Sequence, residues 1–103
     1  MQVVINISSL ISNLEIKIDT NKRIFFKDGE TVDYPIDRFV FRLLSIVSSW
    51  PKKLENNGVI DGEKYSIKIK ENKTKREYIG VNSFPSNYPK FLELIHEVQD
   101  ERN

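Results

Sequence analysis

One stretch of the sequence, residues 36–50, constrains the fold more than any other because almost all of it is apolar. Many of its side chains recur at steps of three and four, and they therefore share one face of a helix. They are Ile36, Phe39, Val40, Leu43, Val47 and Trp50, with Phe41, Leu44 and Ile46 widening the stripe. A helix this apolar must be covered on more than one side. Pro35 and Pro51 bound it, because proline is tolerated in a first turn but disfavours helical geometry at the residue before it.

Two other segments alternate apolar and polar residues, which indicates β-strands with one buried side. Residues 14–27 are predicted to form a hairpin with a three-residue loop, which would place Asp19 opposite Arg23. This register turns Phe25 away from the buried side. Residues 64–81 are predicted to form a second hairpin, with its turn at 71–74.

A second helix is predicted over residues 88–101, after a loop rich in turn-forming residues. The order strand, strand, helix therefore occurs twice, at 14–50 and 64–101, and the two halves resemble each other as tandem ββα units would. We predict one α+β domain over 1–103 with the order ββαββα. Its antiparallel sheet would have four to five strands with both helices packed on one face, and the strand at 3–7 would lie on an edge.

The composition excludes several classes of protein. Cysteine is absent, which rules out disulfides, thiolate metal sites and cysteine nucleophiles. The net charge of +1 gives no overall attraction to nucleic acid or to an anionic membrane. No apolar run reaches the ~18 residues that a membrane span requires, and the first residues lack the basic segment of a signal peptide, so we expect a cytoplasmic protein. Alanine is absent while isoleucine, lysine and asparagine are abundant, which indicates an AT-rich genome, bacterial or phage.

No pattern of catalytic residues stands out. The sequence has no glycine-rich phosphate loop, nucleophile elbow or Ser/His/Asp spacing. His96 and Asp100 lie one turn apart on the second helix, but two such ligands without a third make a poor metal site. We therefore expect a protein that is not an enzyme and has no catalytic residues, no metal and no cofactor.

The surplus apolar width of the first helix, together with aromatic residues at helix ends and in loops, favours binding of another protein. The candidate residues are Phe41, Leu44, Trp50, Phe84 and Tyr88. Such a protein would act by occlusion or tethering, as an inhibitor or an adaptor, and the same residues would also serve a homodimer. The alternative is that the aromatic side chains only complete the core.

A second hypothesis concerns the face of the sheet that the helices leave bare. Basic groups around exposed aromatic rings are typical of modules that bind single-stranded nucleic acid, by neutralising phosphates and stacking bases. The candidate residues are Lys17, Phe25, Lys68, Lys70, Arg76 and Tyr78. Lysines on a sheet also prevent aggregation between sheets, which is the alternative explanation for them.

Overall fold

The computed structural model describes residues 1–56 and 62–101, with the backbone only for 99–101. In these ranges the chain forms β1 (Gln2–Ser8), β2 (Asn13–Asp19), β3 (Ile24–Lys27), β4 (Glu30–Thr31), α1 (Ile36–Val47), β5 (Lys53–Glu55), β6 (Lys64–Glu71), β7 (Thr74–Val81) and α2 (Tyr88–Glu101). The predicted α+β class is confirmed. The predicted order ββαββα is not reproduced, because β4 lies between β3 and α1 and β5 lies between α1 and β6. A duplication of the halves stays a prediction.

The described strands form one seven-stranded sheet in the order β4-β3-β2-β1-β6-β7-β5. All neighbours are antiparallel except β5 and β7, which are parallel. The predicted count of four to five strands is wrong because β4 and β5 have two and three residues, too few for alternation to be visible. The edge position predicted for residues 3–7 is also wrong. Strand β1 lies at the centre, where Val3 pairs with both Ile18 and Ile69 and has 0% of its surface exposed.

Both helices cover the same face of the sheet. Phe39 of α1 packs edge-on against Phe25 of β3, with ring centroids 5.1 Å apart. Tyr88 of α2 packs against Tyr65 of β6 at 5.4 Å. Since Phe25 and Tyr65 lie on the side where alternate residues of β1, β2, β3 and β6 are buried, the other side of the sheet carries neither of the helices that the structure describes. That side is called the open face below.

The loop of the first hairpin differs from the sequence prediction. The Asp19 carboxylate accepts hydrogen bonds from the backbone N–H groups of Asn21 and Lys22, both at 3.0 Å, and Arg23 has a φ of 58°. These features add a residue to the loop, so Asp19 pairs with Ile24 and not with Arg23. A shift of one residue reverses the direction of every side chain in the strand. Phe25, which was predicted to face outward, therefore faces the core, and its neighbours Ile24 and Phe26 point to the other side of the sheet.

A polar cluster joins the two helices. Tyr34 Oη donates a hydrogen bond of 2.9 Å to Glu97 Oε2, and the Arg42 guanidinium donates to the same oxygen. The bond from Arg42, with that from Tyr34, holds the pKa of the Glu97 carboxyl below its ordinary value. A carboxylate with a lowered pKa in the folded state stabilises the fold above its unfolded pKa, and this contribution is lost as the pH falls through the folded pKa.

We expect Glu97→Gln to lower the melting temperature at pH 7, because the amide keeps the shape but loses the charge that pairs with Arg42. The deficit should shrink as the pH falls below ~4.3, the ordinary pKa of glutamate, since the wild-type carboxylate then takes up a proton as well. Thermal melts from pH 7 to pH 3 check this. Glu93→Gln is the matched control because Glu93 is exposed and has no ion-pair partner among the described residues. A deficit independent of pH would contradict the ionic origin of the effect.

Candidate functional site

Two of the aromatic residues predicted to bind a partner are buried. Trp50 and Tyr88 have 6% and 4% of their surface exposed. The indole Nε1 of Trp50 donates a hydrogen bond of 2.6 Å to Asn87 Oδ1, and Asn87 Nδ2 donates one of 3.0 Å to the carbonyl oxygen of Ile46. These bonds satisfy polar groups at the end of α1 and fix α1 to the start of α2. The two rings therefore belong to the core. This agrees with the alternative hypothesis, in which such aromatic side chains only complete the core.

Phe84 lies at the edge of the same aromatic cluster. Its ring centroid is 4.6 Å from that of Tyr88 and 6.1 Å from that of Tyr65, and 38% of its surface is exposed. Phe84 thus covers buried rings with one side and faces solvent with the other. Phe84 lies in the loop before α2, whereas Phe41 lies on α1, so the two side chains belong to different elements.

Phe41 is the most exposed of the predicted residues, at 75%. It follows Phe39 by two positions on α1, and at 100° per residue this turns it away from the core. A groove of about 230 Å³ lies beside it, between α1 and α2, lined by Phe41, Arg42, Ser45, Ile46, Lys90 and Glu93. Leu44, three residues after Phe41, is partly buried against the core. Phe41, Leu44 and this groove are called the Phe41 surface below.

On the open face, the registers align Phe26, Lys17, Val4, Lys68 and Glu77 in one row across the sheet. Lys17 Nζ lies 3.8 Å from a Glu15 carboxylate oxygen, and Lys68 Nζ lies 3.6 Å from one of Glu77. Lys70 is opposite Lys75 and has no carboxylate partner among the described residues. The positions predicted for Lys17, Lys68 and Lys70 are therefore correct, but carboxylates neutralise two of the three.

The open-face orientation predicted for Phe25, Tyr78 and Arg76 is wrong. Phe25 pairs with Ile18 and is 2% exposed, as the longer loop after Asp19 requires. Tyr78 pairs with Ile67 and is 7% exposed. Directly opposed residues share a face, so Arg76, opposite Ile69, lies on the helix side, where it is exposed beyond the core.

Other apolar residues, which the predicted register placed on the buried side, do lie on the open face. Ile24 and Phe26 flank Phe25 in β3 and therefore point outward, and with Val4 they border a shallow depression of about 250 Å³. Phe26 is partly buried and lies opposite Lys17. The signal that would have found them is Asp19, whose side chain favours an Asx turn and hence a longer loop.

The tip of the β1–β2 hairpin also carries exposed apolar side chains. Leu10 and Ile11 are 77% and 94% exposed, within a turn that the Ser9 N–H closes on the carbonyl oxygen of Ser12 at 2.8 Å. Turn positions normally favour Gly, Asn, Asp or Pro, so two aliphatic residues there are unusual. In the sequence they stand out as an apolar pair between serines.

The described residues contain no cluster of three or more His, Asp or Glu side chains that could hold a metal ion. His96 is exposed on α2, and the side chain of Asp100 lies outside the described residues. Of the helices in the described ranges, neither is long and apolar enough to cross a membrane.

No known protein-family model matches this chain, and neither does any curated protein or any solved structure.

Proposed function

We propose that this chain is a non-enzymatic binding protein that holds a protein partner at the Phe41 surface, acting by occlusion or tethering as an inhibitor or an adaptor. The observation that carries the proposal is the 75% exposure of Phe41 in the middle of a helix whose other phenylalanine, Phe39, is fully buried. An exposed aromatic side chain loses contact with water when a partner covers it, and such residues dominate the binding energy of protein interfaces.

The shape of the Phe41 surface fits a protein side chain better than a small molecule. Its groove of about 230 Å³ is smaller than the ~300–1,000 Å³ of typical small-ligand pockets. Its wall is open, so an apolar side chain of a partner can lie between α1 and α2 while Phe41 packs on the partner in return. This reciprocal arrangement of anchor and groove is common at the centre of interfaces.

The charged groups at the groove fit the rim of an interface. Lys90 and Glu93 are exposed and have no ion-pair partner among the described residues, so both can pair with groups of a partner. Arg42 already pairs with Glu97, and this ion pair fixes its position even when no partner protein is bound. Polar rims around an apolar centre are the usual anatomy of protein interfaces.

We expect Phe41→Glu to weaken partner binding by about 2 kcal/mol or more, because it places a charge where an aromatic ring is buried. The partner is first identified by replacing Phe41 with the photo-crosslinker p-benzoylphenylalanine, irradiating a cell lysate and sequencing the crosslinked product. Titration of that partner then compares wild type with Phe41→Glu. A crosslink to a second copy of the chain identifies the homodimer instead of a foreign partner.

Phe26→Glu is the matched control, since it makes the same change on the opposite side of the molecule. It should leave the affinity unchanged. Equal affinity of wild type and Phe41→Glu would exclude the Phe41 surface. Turnover of a small molecule in a metabolite screen, without any crosslinked protein, would exclude the binding role itself.

The second candidate function is binding of single-stranded nucleic acid on the open face. The observation favouring it is the outward ring of Phe26 beside Lys17, in one row with Lys68. In this arrangement Phe26 takes the stacking role first assigned to Phe25 and Tyr78. The carboxylates of Glu15 and Glu77 weigh against it, because they repel phosphates and already pair with two of the lysines.

For this second function we expect a low-salt mobility shift of an oligonucleotide whose log–log salt slope is about −2, from the three lysines at ~0.7 each. Phe26→Ala should lower the affinity by about 1–3 kcal/mol without changing the slope, and Lys70→Ala should reduce the slope by about 0.7. Phe41→Ala serves as the control because it lies on the helix side. Absence of a shift at tens of micromolar protein would remove the hypothesis and leave the lysines as protection against aggregation.

A further inference from the structure

Within residues 1–56 and 62–101, one edge of the sheet has no partner over most of its length. Strand β7 spans Thr74–Val81, but its outer neighbour β5 pairs only with the stretch from Ile79 to Val81. Pro51 precedes β5 and cannot donate a backbone hydrogen bond, so the chain does not extend this pairing toward residue 74. Residues 74–78 of β7 are therefore an edge strand about 16 Å long, at ~3.3 Å per residue.

The backbone groups on this edge can be assigned from the bonds at its covered end. The Ile79 N–H donates to the carbonyl oxygen of Lys52 at 2.9 Å, and the Val81 carbonyl accepts from the Asn56 N–H at 2.9 Å. Backbone groups of alternate residues point to the same side of a strand. The N–H and C=O groups of Lys75 and Glu77 therefore point to the open edge, where no described residue bonds to them.

The opposite edge of the sheet is shorter. Its outermost strand, β4, has two residues, whereas five residues of β7 lie beyond the pairing with β5. The Val32 N–H, just after β4, donates to the carbonyl oxygen of Phe25 at 2.9 Å and is thus turned inward, toward β3. A strand that adds to the sheet therefore finds a longer run of backbone groups at residues 74–78 than at β4.

The open edge is also strongly basic. Four exposed cations around it have no carboxylate partner among the described residues, and these are Lys70, Lys73, Lys75 and Arg76. Glu77 is paired with Lys68, and Glu71 is the remaining acid of the hairpin. A surplus of one sign on an edge opposes pairing with a second copy of the same edge. The same surplus attracts an extended segment of the opposite sign.

We propose that the edge of β7 at residues 74–78 binds an extended acidic peptide segment of a partner protein, which adds to the sheet as a further strand beside β7. The backbone groups of Lys75 and Glu77 supply the hydrogen bonds, as in other complexes formed by strand addition. Lys75 and Arg76 lie on opposite faces of β7, next to the added strand, and Lys70 lies one strand further in, opposite Lys75. These cations select acidic side chains. This site is separate from the Phe41 surface, and neither proposal rests on the other.

The probe is the fluorescein-labelled peptide Glu-Val-Glu-Val-Glu with blocked ends, titrated by fluorescence anisotropy at low salt. We expect saturable binding that weakens with salt. Its analogue with lysine in place of glutamate should not bind. An analogue N-methylated on the amides that face the edge keeps every charge but cannot pair, and its affinity should fall by about fivefold or more, the equivalent of one lost hydrogen bond.

Substitutions at Glu77 separate strand addition from simple attraction of charges. Glu77→Gln removes a negative charge and keeps the backbone N–H, so the peptide should bind more tightly. Glu77→Pro removes the same charge and also the outward N–H, so the peptide should bind more weakly than to Glu77→Gln, by about fivefold or more. Proline is tolerated there because the N–H of Glu77 takes no part in the pairing with β6. Far-UV circular dichroism confirms that this variant is folded.

Three results would overturn the proposal. One is the absence of saturable binding up to ~1 mM peptide, and another is equal binding of the N-methylated analogue. The third is a higher affinity for an oligonucleotide than for the peptide at the same residues, since this would make the edge a site for phosphates. The N-methylated peptide decides the question with the wild-type protein alone, even if Glu77→Pro does not fold.

Discussion

Phe39→Ala is expected to lower the free energy of unfolding by about 3–5 kcal/mol, the range for removing a fully buried phenylalanine from a core. Phe39 has 0% of its surface exposed and packs edge-on against Phe25 at 5.1 Å and Tyr34 at 6.1 Å. These rings come from β3, the following loop and α1, so the truncation leaves a cavity where several elements meet. The cost is large because such a cavity collapses only in part.

Phe41→Ala is the matched control for Phe39→Ala, since the residues are two positions apart on the same helix. With 75% of Phe41 exposed, its truncation should change the free energy of unfolding by no more than about 0.5 kcal/mol. Urea unfolding followed by the fluorescence of Trp50, the one tryptophan of the chain, measures both. Similar costs for the two variants would mean that α1 is rotated from the position described, and the Phe41 surface would fail as a binding site with it.

Gly80→Ala is expected to destabilise the fold by about 3 kcal/mol, although glycine to alanine within a strand usually has the opposite sign. A Cβ at Gly80 would lie 1.9 Å from Cε2 of Tyr65, the residue directly across the β6–β7 pair. The Tyr65 ring cannot move away easily. It is 1% exposed and has Trp50 and Tyr88 as ring neighbours at 5.3 and 5.4 Å.

A rescue experiment separates this steric effect from other effects of the substitution. In a Tyr65→Leu background the shorter side chain leaves room, so Gly80→Ala should cost at least 1 kcal/mol less than in the wild type. Gly29→Ala is the control, since its strain comes from a φ of 82° with no atom within 4 Å of the added Cβ. Its cost, about 1–2 kcal/mol, should be the same in both backgrounds. Full additivity of Tyr65→Leu and Gly80→Ala would contradict the contact.

The helices could be predicted well because their information is local. The start of α1 at Ile36 and the start of α2 at Tyr88 follow from periodicity and proline positions close by in the chain. The C-terminus of α1 was placed at residue 50, whereas the helix ends at Val47. Trp50 then folds back, with its N–H bonded to the carbonyl oxygen of Val47 and its ring held by Asn87. That last contact crosses 37 residues and leaves no trace in the local pattern.

The candidate residues on the sheet could be predicted only in part, because their direction depends on one residue in a loop. Arg23 adopts a positive φ, which few non-glycine residues do, and it is the fourth residue of the loop. The side chain of Asp19 favours this longer loop, but the alternation of the two strands alone does not distinguish a loop of three residues from one of four. The added residue shifts the register and exchanges Phe25 with its neighbours. In the second hairpin the predicted turn was consistent with the observed register, and the error lay in assigning Arg76 and Tyr78 to the side opposite Ile67 and Ile69.

The central position of β1 bears on the order in which the chain can fold. Gln2 pairs with Asp19, close in sequence, and also with Lys70, far along the chain. Because a ribosome makes the chain from its N-terminus, the β1–β2 hairpin is complete while the partner on the other side of β1 has not yet been synthesised. Until β6 is made, the central strand of the finished sheet is an exposed edge rich in β-branched residues, and its second partner is brought in only by closing a long loop. We therefore expect the docking of β6 onto β1 to be the slow step of folding.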